Sequence, residues 1–136
     1  MRVLFDTNLW ISFMIGKQLS SLSDVLSSTE IKVYVCAPLL DEIRRVLERP
    51  KFSRLISEET RSSFFQMVDD VCYWTEISVK VESPIRDIKD LYLLSMAESV
   101  PVDYIVSGDK DLLVLNSHAG IPILSYNEFV KKVMCI

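Results

Sequence analysis

The order of strand and helix signals along the 136 residues predicts a three-layer α/β/α domain around a central, mainly parallel sheet of about five strands. Three observations carry that prediction. Short apolar runs rich in strand formers recur between segments with helical spacing. No two of these runs are joined by a hairpin signal, so neighbouring strands are expected to run parallel. Two of the runs end in an aspartate, at Asp6 and Asp109, the place where an open α/β sheet binds its ligands.

The first strand is Val3-Leu4-Phe5, contiguous and apolar, leading into the turn Asp6-Thr7-Asn8. A helix from Leu9 to about Gly16 follows, with Leu9, Trp10, Phe13 and Met14 as its apolar face. Asp6 has two readings there: a helix N-cap, or a carboxylate at a ligand crevice. Ser20 to Ser28 continues with Leu22, Val25 and Leu26 at helical spacing, and Lys32 to Ala37 reads as the second strand. Pro38 suits the first turn of the next helix, which runs to Glu48 and is stopped by Pro50. At about 100° per residue, Glu42 falls at the edge of that helix's apolar face while Asp41 points to water. A partly buried Glu needs a partner, and Arg45 at i+3 is the simplest one.

Ser57 is placed to cap a long helix from Glu58 to about Trp74. Thr75 to Val81 alternates as a third strand, with Ile77, Val79 and Val81 on one face. Glu82 to Asp90 reads as a loop containing Asp87, and a helix from Asp90 to Ser99 follows, with Asp90 either its N-cap or a site residue. Tyr104-Ile105-Val106 is the fourth strand, turning at Ser107 to Asp111. His118 falls in a loop, and Ile121 to Leu124 forms a fifth strand that Pro122 assigns to the sheet edge. Ser125 and Glu128 form a capping box for the last helix.

Length and composition fit one soluble domain over residues 1–136, with 49% hydrophobic and 25% charged residues. No apolar run approaches the roughly 18 residues of a membrane span, and no signal peptide is visible. The expectation is a cytoplasmic protein with no membrane association. Cys36, Cys72 and Cys135 are odd in number and widely spaced, which suggests reduced thiols rather than zinc ligands. One histidine leaves almost no material for a His-based metal site, and three glycines form no phosphate loop. The net charge of −4 argues against a broad basic groove for nucleic acid. Arg44, Arg45, Arg49, Lys51, Arg54 and Arg61 nevertheless make one quarter basic, either a solvated face or a phosphate-contacting patch.

Asp6, Glu42, Asp90 and Asp109 could converge on one rim of a parallel sheet. Clustered carboxylates repel one another, and a divalent cation relieves that cost. Oxygen ligation without Cys or His suits Mg²⁺ or Mn²⁺, ions that polarise phosphoryl oxygens and lower the pKa of water. The chemistry so implied is metal-assisted phosphodiester or phosphate hydrolysis.

In this light the chain resembles the PIN-domain ribonucleases, closest to the subgroup of toxins from toxin–antitoxin pairs. The resemblance rests on Val3-Leu4-Phe5-Asp6-Thr7-Asn8, Leu39-Leu40-Asp41-Glu42-Ile43, Arg49-Pro50-Lys51-Phe52 and Arg86-Asp87-Ile88-Lys89-Asp90. It continues through Asp103 to Leu112 and Gly120-Ile121-Pro122-Ile123-Leu124. Each piece alone is weak, and their order over nearly the whole chain is what makes them specific. The resemblance implies a PIN-like sheet with the first strand central and the fourth beside it. It also implies Mg²⁺- or Mn²⁺-dependent cleavage of RNA, an antitoxin protein as partner, and a homodimer. The family's acids carry over as catalytic residues Asp6, Glu42, Asp90 and Asp109. Asp111 is a second candidate for the last position, and the metal ligands are expected among Asp6, Asp90, Asp109 and Asp111. Thr7, Asn8 and Ser107 are expected to hold the carboxylates, and Arg44, Arg45 and Arg49 to contact RNA. Two departures stand out: Ile88 where the subgroup usually has Pro, and Leu91 where a polar residue is frequent. They bear on the loop before Asp90 and on an auxiliary ligand. Two rival readings are a receiver-like phosphate-accepting domain and a non-catalytic PIN-like interaction module. The receiver reading lacks its Lys at the end of the last strand, where Leu124 and Ser125 stand.

Overall fold

The computed structural model describes residues 1–16, 19–76 and 88–133. Strand β1 (Arg2–Phe5) is buried from Val3 to Phe5 and lies in the middle of a six-stranded sheet of order β3-β2-β1-β4-β6-β5. It pairs in parallel with β2 (Lys32–Val35) on one side and β4 (Tyr104–Val106) on the other. A strand paired on both edges and covered on both faces has to be apolar throughout, which Val3-Leu4-Phe5 is. β3 (Tyr73–Trp74) extends the sheet beyond β2, and β6 (Ile121–Leu124) pairs in parallel with β4. This is the mainly parallel α/β/α architecture that the alternation of signals predicts, with β1 central and β4 beside it.

Helices α1 (Thr7–Ile15) and α2 (Leu19–Ser27) connect β1 to β2. Phe5 anchors the core, its ring centroid 5.2 Å from Trp10, 5.9 Å from Phe13 and 6.1 Å from Phe129 of helix α8 (Tyr126–Val133). Removing a buried aromatic of this kind costs about 3–5 kcal/mol. Helix α3 (Ala37–Leu47) buries Leu39, Leu40, Ile43, Val46 and Leu47, and carries Pro38 in its first turn. Helices α4 (Pro50–Leu55), α5 (Glu58–Val71) and α6 (Ile88–Ser99) follow, and α7 (Lys110–Leu115) comes after β4. No helix among the described residues is long and apolar enough to cross a membrane.

Several expectations need correction. The long helix stops at Val71, not Trp74: Cys72 is extended (φ −90°, ψ 155°), with its N–H still donating to the Val68 carbonyl. Tyr73 and Trp74 then pair with Tyr34 and Val35, so the third strand comes earlier than Thr75. Residues 77–81 of the expected strand, the loop through Asp87, and Cys135 lie outside the described residues. Pro50 ends α3 and also opens α4 at its first position, where its missing N–H costs nothing. Asp90 is not the N-cap of its helix, which already includes Ile88.

A hairpin is present despite the lack of a sequence signal. β5 (Ser117–His118) runs antiparallel to β6, with Ser117 opposite Pro122 and His118 opposite Ile121. Its two turn residues both have positive φ, Ala119 at 51° and Gly120 at 81°. That is the type I′ requirement, usually met by Asn-Gly or Asp-Gly, and Ala in the first position hides it. Hence Pro122 does not put its strand at the edge, because β5 covers it over two residues. His118 is on a strand rather than a loop, its Nε2 3.3 Å from Glu98 Oε2 at the end of α6.

Candidate active site

Parallel pairing of β1 and β4 sets Leu4 against Ile105 and Phe5 against Val106. The next residues, Asp6 and Ser107, therefore emerge side by side at the carboxyl rim. The Asp6 N–H continues the ladder to the Val106 carbonyl at 3.1 Å. Asp6 then leaves the sheet as the N-cap of α1, its Oδ1 accepting the Leu9 N–H at 2.7 Å. The capping reading is thus correct in itself. The other carboxylate oxygen faces the sheet, where Oδ2 accepts the Ser107 hydroxyl.

Ser107 is fully buried, its N–H donating to the Leu124 carbonyl at 2.9 Å. Its Oγ donates to Asp6 and accepts the Asp109 N–H at 2.9 Å. Asp109 is half-buried and N-caps α7, its Oδ1 accepting the Asp111 N–H at 2.9 Å. One hydroxyl thus joins the two aspartates, binding one by its side chain and the other by its backbone. Asp111 is exposed, and what it contributes to this arrangement is a backbone N–H.

The electrostatics are costly. Asp6 is only 4% exposed. Burial pushes its carboxyl above the ordinary value, and the nearby Asp109 pushes the same way. The Ser107 hydroxyl and the Leu9 and Gly108 N–H groups pull it back without cancelling the burial. An acid held where its charge is disfavoured, with a second acid beside it, fits the demand a divalent cation would meet. Mg²⁺ in particular is commonly held by one or two carboxylates with water filling the remaining positions. Among the described residues, no group of three or more His, Cys, Asp or Glu side chains is close enough to hold a metal. The pair Asp6 and Asp109 is therefore what the described residues offer.

Thr7 is buried at the first position of α1 and Asn8 is exposed at the second. Neither side chain bonds Asp6 or Asp109 among the described residues, so Ser107 is the side chain that holds a carboxylate. Glu42 lies on α3 with its side chain 20% exposed, paired with Arg45 Nη2 at 3.0 Å, the i,i+3 partner its spacing predicts. Asp90 is in the first turn of α6, and its side chain lies outside the described residues. Arg44 pairs with Asp41 at 3.3 Å and lies over the Phe65 ring at 4.6 Å. Arg49 is exposed at the N-cap position of α4. Local spacing does not reveal Ser107 as the link, because that needs β1 and β4 to be neighbours; the expectation for Ser107 rests on the family resemblance.

A scan against protein families matches residues 2–111 to the PIN domain. The match runs from β1 into α7 and includes Asp6, Glu42, Asp90, Ser107, Asp109 and Asp111. No curated protein and no solved structure matches the chain. With over three quarters of its length matched, and with paired aspartates at the ends of its two central strands, the chain belongs to the PIN domain family, whose members are generally nucleases that use divalent metals.

Proposed function

We infer that this chain is a metal-dependent endoribonuclease acting as the toxin of a type II toxin–antitoxin pair. The observation that carries the catalytic part is the Asp6–Ser107–Asp109 link at the carboxyl ends of β1 and β4. The toxin part rests on the sequence resemblance described above.

In this reading Asp6 and Asp109 are the ligands of Mg²⁺ or Mn²⁺. When bound, such an ion polarises a phosphoryl oxygen and stabilises negative charge on it. The chain's own residues do the rest. The Leu9 N–H and the Ser107 hydroxyl leave Asp6 little rotational freedom, and the Asp111 N–H does the same for Asp109. Such orientation by outer groups commonly changes metal affinity or activity ten- to a hundred-fold, on the order of magnitude. The resemblance assigns Glu42 and Asp90 the remaining acidic roles. For Glu42 that role requires release from Arg45, a pair exposed enough to be worth at most about 1 kcal/mol. Arg44, Arg45 and Arg49 would meet substrate phosphates on the α3–α4 side. Cytoplasmic localisation and a homodimer belong to the same proposal.

The experiment is cleavage of a mixed RNA substrate with Mn²⁺ and with a chelator, beside growth of cells expressing the chain. Metal-dependent internal cleavage and growth arrest, the latter relieved by a co-expressed neighbouring reading frame, are the expected results. Cleavage without growth arrest would leave a ribonuclease that is not a toxin. RNA binding with no cleavage in any metal would favour the interaction module.

A further inference from the structure

The carboxyl rim has a second half, beyond β2. Leu4 pairs with Tyr34, Tyr34 with Tyr73, and Val35 with Trp74. Trp74 therefore stands one row past Leu4, level with Phe5, the residue before Asp6. Two strand spacings separate it sideways from β1, about 10 Å in all.

Trp74 is 49% exposed and Tyr73 46%. The two rings differ in their company. Tyr73 is packed on one face of the sheet, its centroid 5.6 Å from that of Tyr34, with Lys32 Nζ 5.4 Å away over the ring. Trp74, next in the strand, takes the opposite face. Among the described residues no ring and no cation packs on it. Tryptophan is highly buried on average, so a half-exposed indole on the rim that carries the aspartates, with no described ring stacked on it, is open to an occupant. β3 has two residues, which gives an added strand little to pair with. The charge argument points to a nucleobase. The chain carries −4 overall and its rim is acidic, so electrostatics alone hold a polyanion poorly there. Base–aromatic stacking is charge-neutral and sequence-tolerant.

We propose that Trp74 is a stacking platform for one base of a single-stranded RNA substrate, beside the phosphate presented to Asp6 and Asp109. This rests on the ribonuclease reading and adds a substrate-positioning residue to it. The exposed Arg44, Arg45 and Arg49 would hold the backbone, and Trp74 a base.

The chain has two tryptophans, and Trp10 is fully buried among Phe5, Phe13 and Phe64. Quenching of indole emission by a ligand therefore reports Trp74. The probes are a short oligouridylate and an abasic ribose-phosphate oligomer of equal length, both titrated in EDTA. The expected result is quenching and tighter binding with the oligouridylate. Trp74→Leu should abolish the quenching and weaken oligouridylate binding roughly ten-fold, and Trp74→Phe should keep most of the affinity. With Mn²⁺, Trp74→Leu should raise KM for single-stranded RNA more than it lowers kcat. Equal affinity of wild type and Trp74→Leu, or no preference for bases over abasic backbone, overturns the proposal. So does a Trp74→Leu protein that light scattering shows to have fallen from dimer to monomer, which would make this face an interface between copies. If the wild type fails to cleave RNA in any metal, the ribonuclease reading falls, while the quenching in EDTA still decides the stacking.

Discussion

Two strand-to-helix junctions lie next to each other on the carboxyl rim. β1 passes through Asp6 into α1, and β2 passes through Cys36 into α3. Both cap residues are extended, at φ −75°, ψ 166° and φ −138°, ψ 162°. Both are buried. At Cys36 the helix begins with no side-chain cap and relies on Pro38 in its first turn. At Asp6 it begins with a carboxylate cap whose charge burial opposes. The fold thus starts a buried helix on this rim without a carboxylate. A cap is worth about 1 kcal/mol, and Ser or Thr could supply it without a buried negative charge. The difference shows that capping alone is a poor reason for Asp6, and that the second carboxylate at Asp109 and the hydroxyl between them belong to its explanation.

The largest expected effect is on the partner acid. Asp109→Asn keeps an α7 cap, because Asn caps as well as Asp, and removes one charge from the crevice. Mn²⁺-dependent RNA cleavage should fall by orders of magnitude with melting little changed; a variant with near-normal turnover would mean that Asp111 fills that position.

Ser107→Ala sharpens the comparison by removing the hydroxyl between the acids. It leaves an oxygen of buried Asp6 and the Asp109 N–H without their partner, a loss of about 1–3 kcal/mol. The Asp6 carboxyl should then rise further, since the hydroxyl pulls it down. The acid limb of the pH–rate profile should move to higher pH. A lower melting temperature with an unmoved profile would leave Ser107 a packing residue.

The pH dependence of stability comes next. The folded Asp6 carboxyl has a pKa above the ordinary 3.8, so it binds its proton more tightly than the unfolded chain does. Its contribution is greatest below the unfolded pKa and is lost as pH rises through the folded value. Denaturant melts from about pH 4 upward should show that decline in the wild type and a flatter course in Asp6→Asn. Identical slopes would remove the charge cost at this junction.

The Cys36 junction should be chemically quiet. Burial pushes its thiol up, and pushes that of Cys72 up to about 12. Neither should alkylate at neutral pH until the chain unfolds, which peptide mapping after brief iodoacetamide treatment would check. Rapid labelling of Cys36 in the folded protein would contradict its place in the core. The smallest effect is expected at Arg45→Ala: a stability change within about 1 kcal/mol, because Arg45 is 64% exposed in its pair with Glu42. If Arg45 contacts phosphates, the salt dependence of RNA binding should also become shallower.

The same physics explains what the sequence made legible. β1 and β4 are short apolar runs that end in acids, so their identity and polarity are visible without a structure. The Pro38 and Pro50 limits of α3 and the Glu42–Arg45 pair follow from local spacing alone. β3 was hidden because Tyr73 and Trp74 prolong the apolar spacing of α5, and only pairing with β2 makes them a strand. α4 and α7 have six residues each, too few for a helical period to emerge. The Ala119–Gly120 turn carries a non-glycine at positive φ, which no dipeptide rule flags. The Ser107 link depends on two residues 101 apart in the chain becoming neighbours; no local pattern encodes that, and its expectation rests on the family resemblance alone.

The central claim is that the Asp6 carboxylate is kept for chemistry at a cost in stability. Asp6→Asn tests it most directly, with thermal melting in EDTA and in Mn²⁺ measured beside Mn²⁺-dependent RNA cleavage at neutral pH. The variant should melt at or above the wild type in EDTA, because it sheds a buried charge and keeps a capping side chain. Mn²⁺ should raise the melting temperature of the wild type alone, and cleavage by the variant should drop by orders of magnitude. A variant that melts lower in EDTA and cleaves RNA normally would make Asp6 a structural cap and contradict the account.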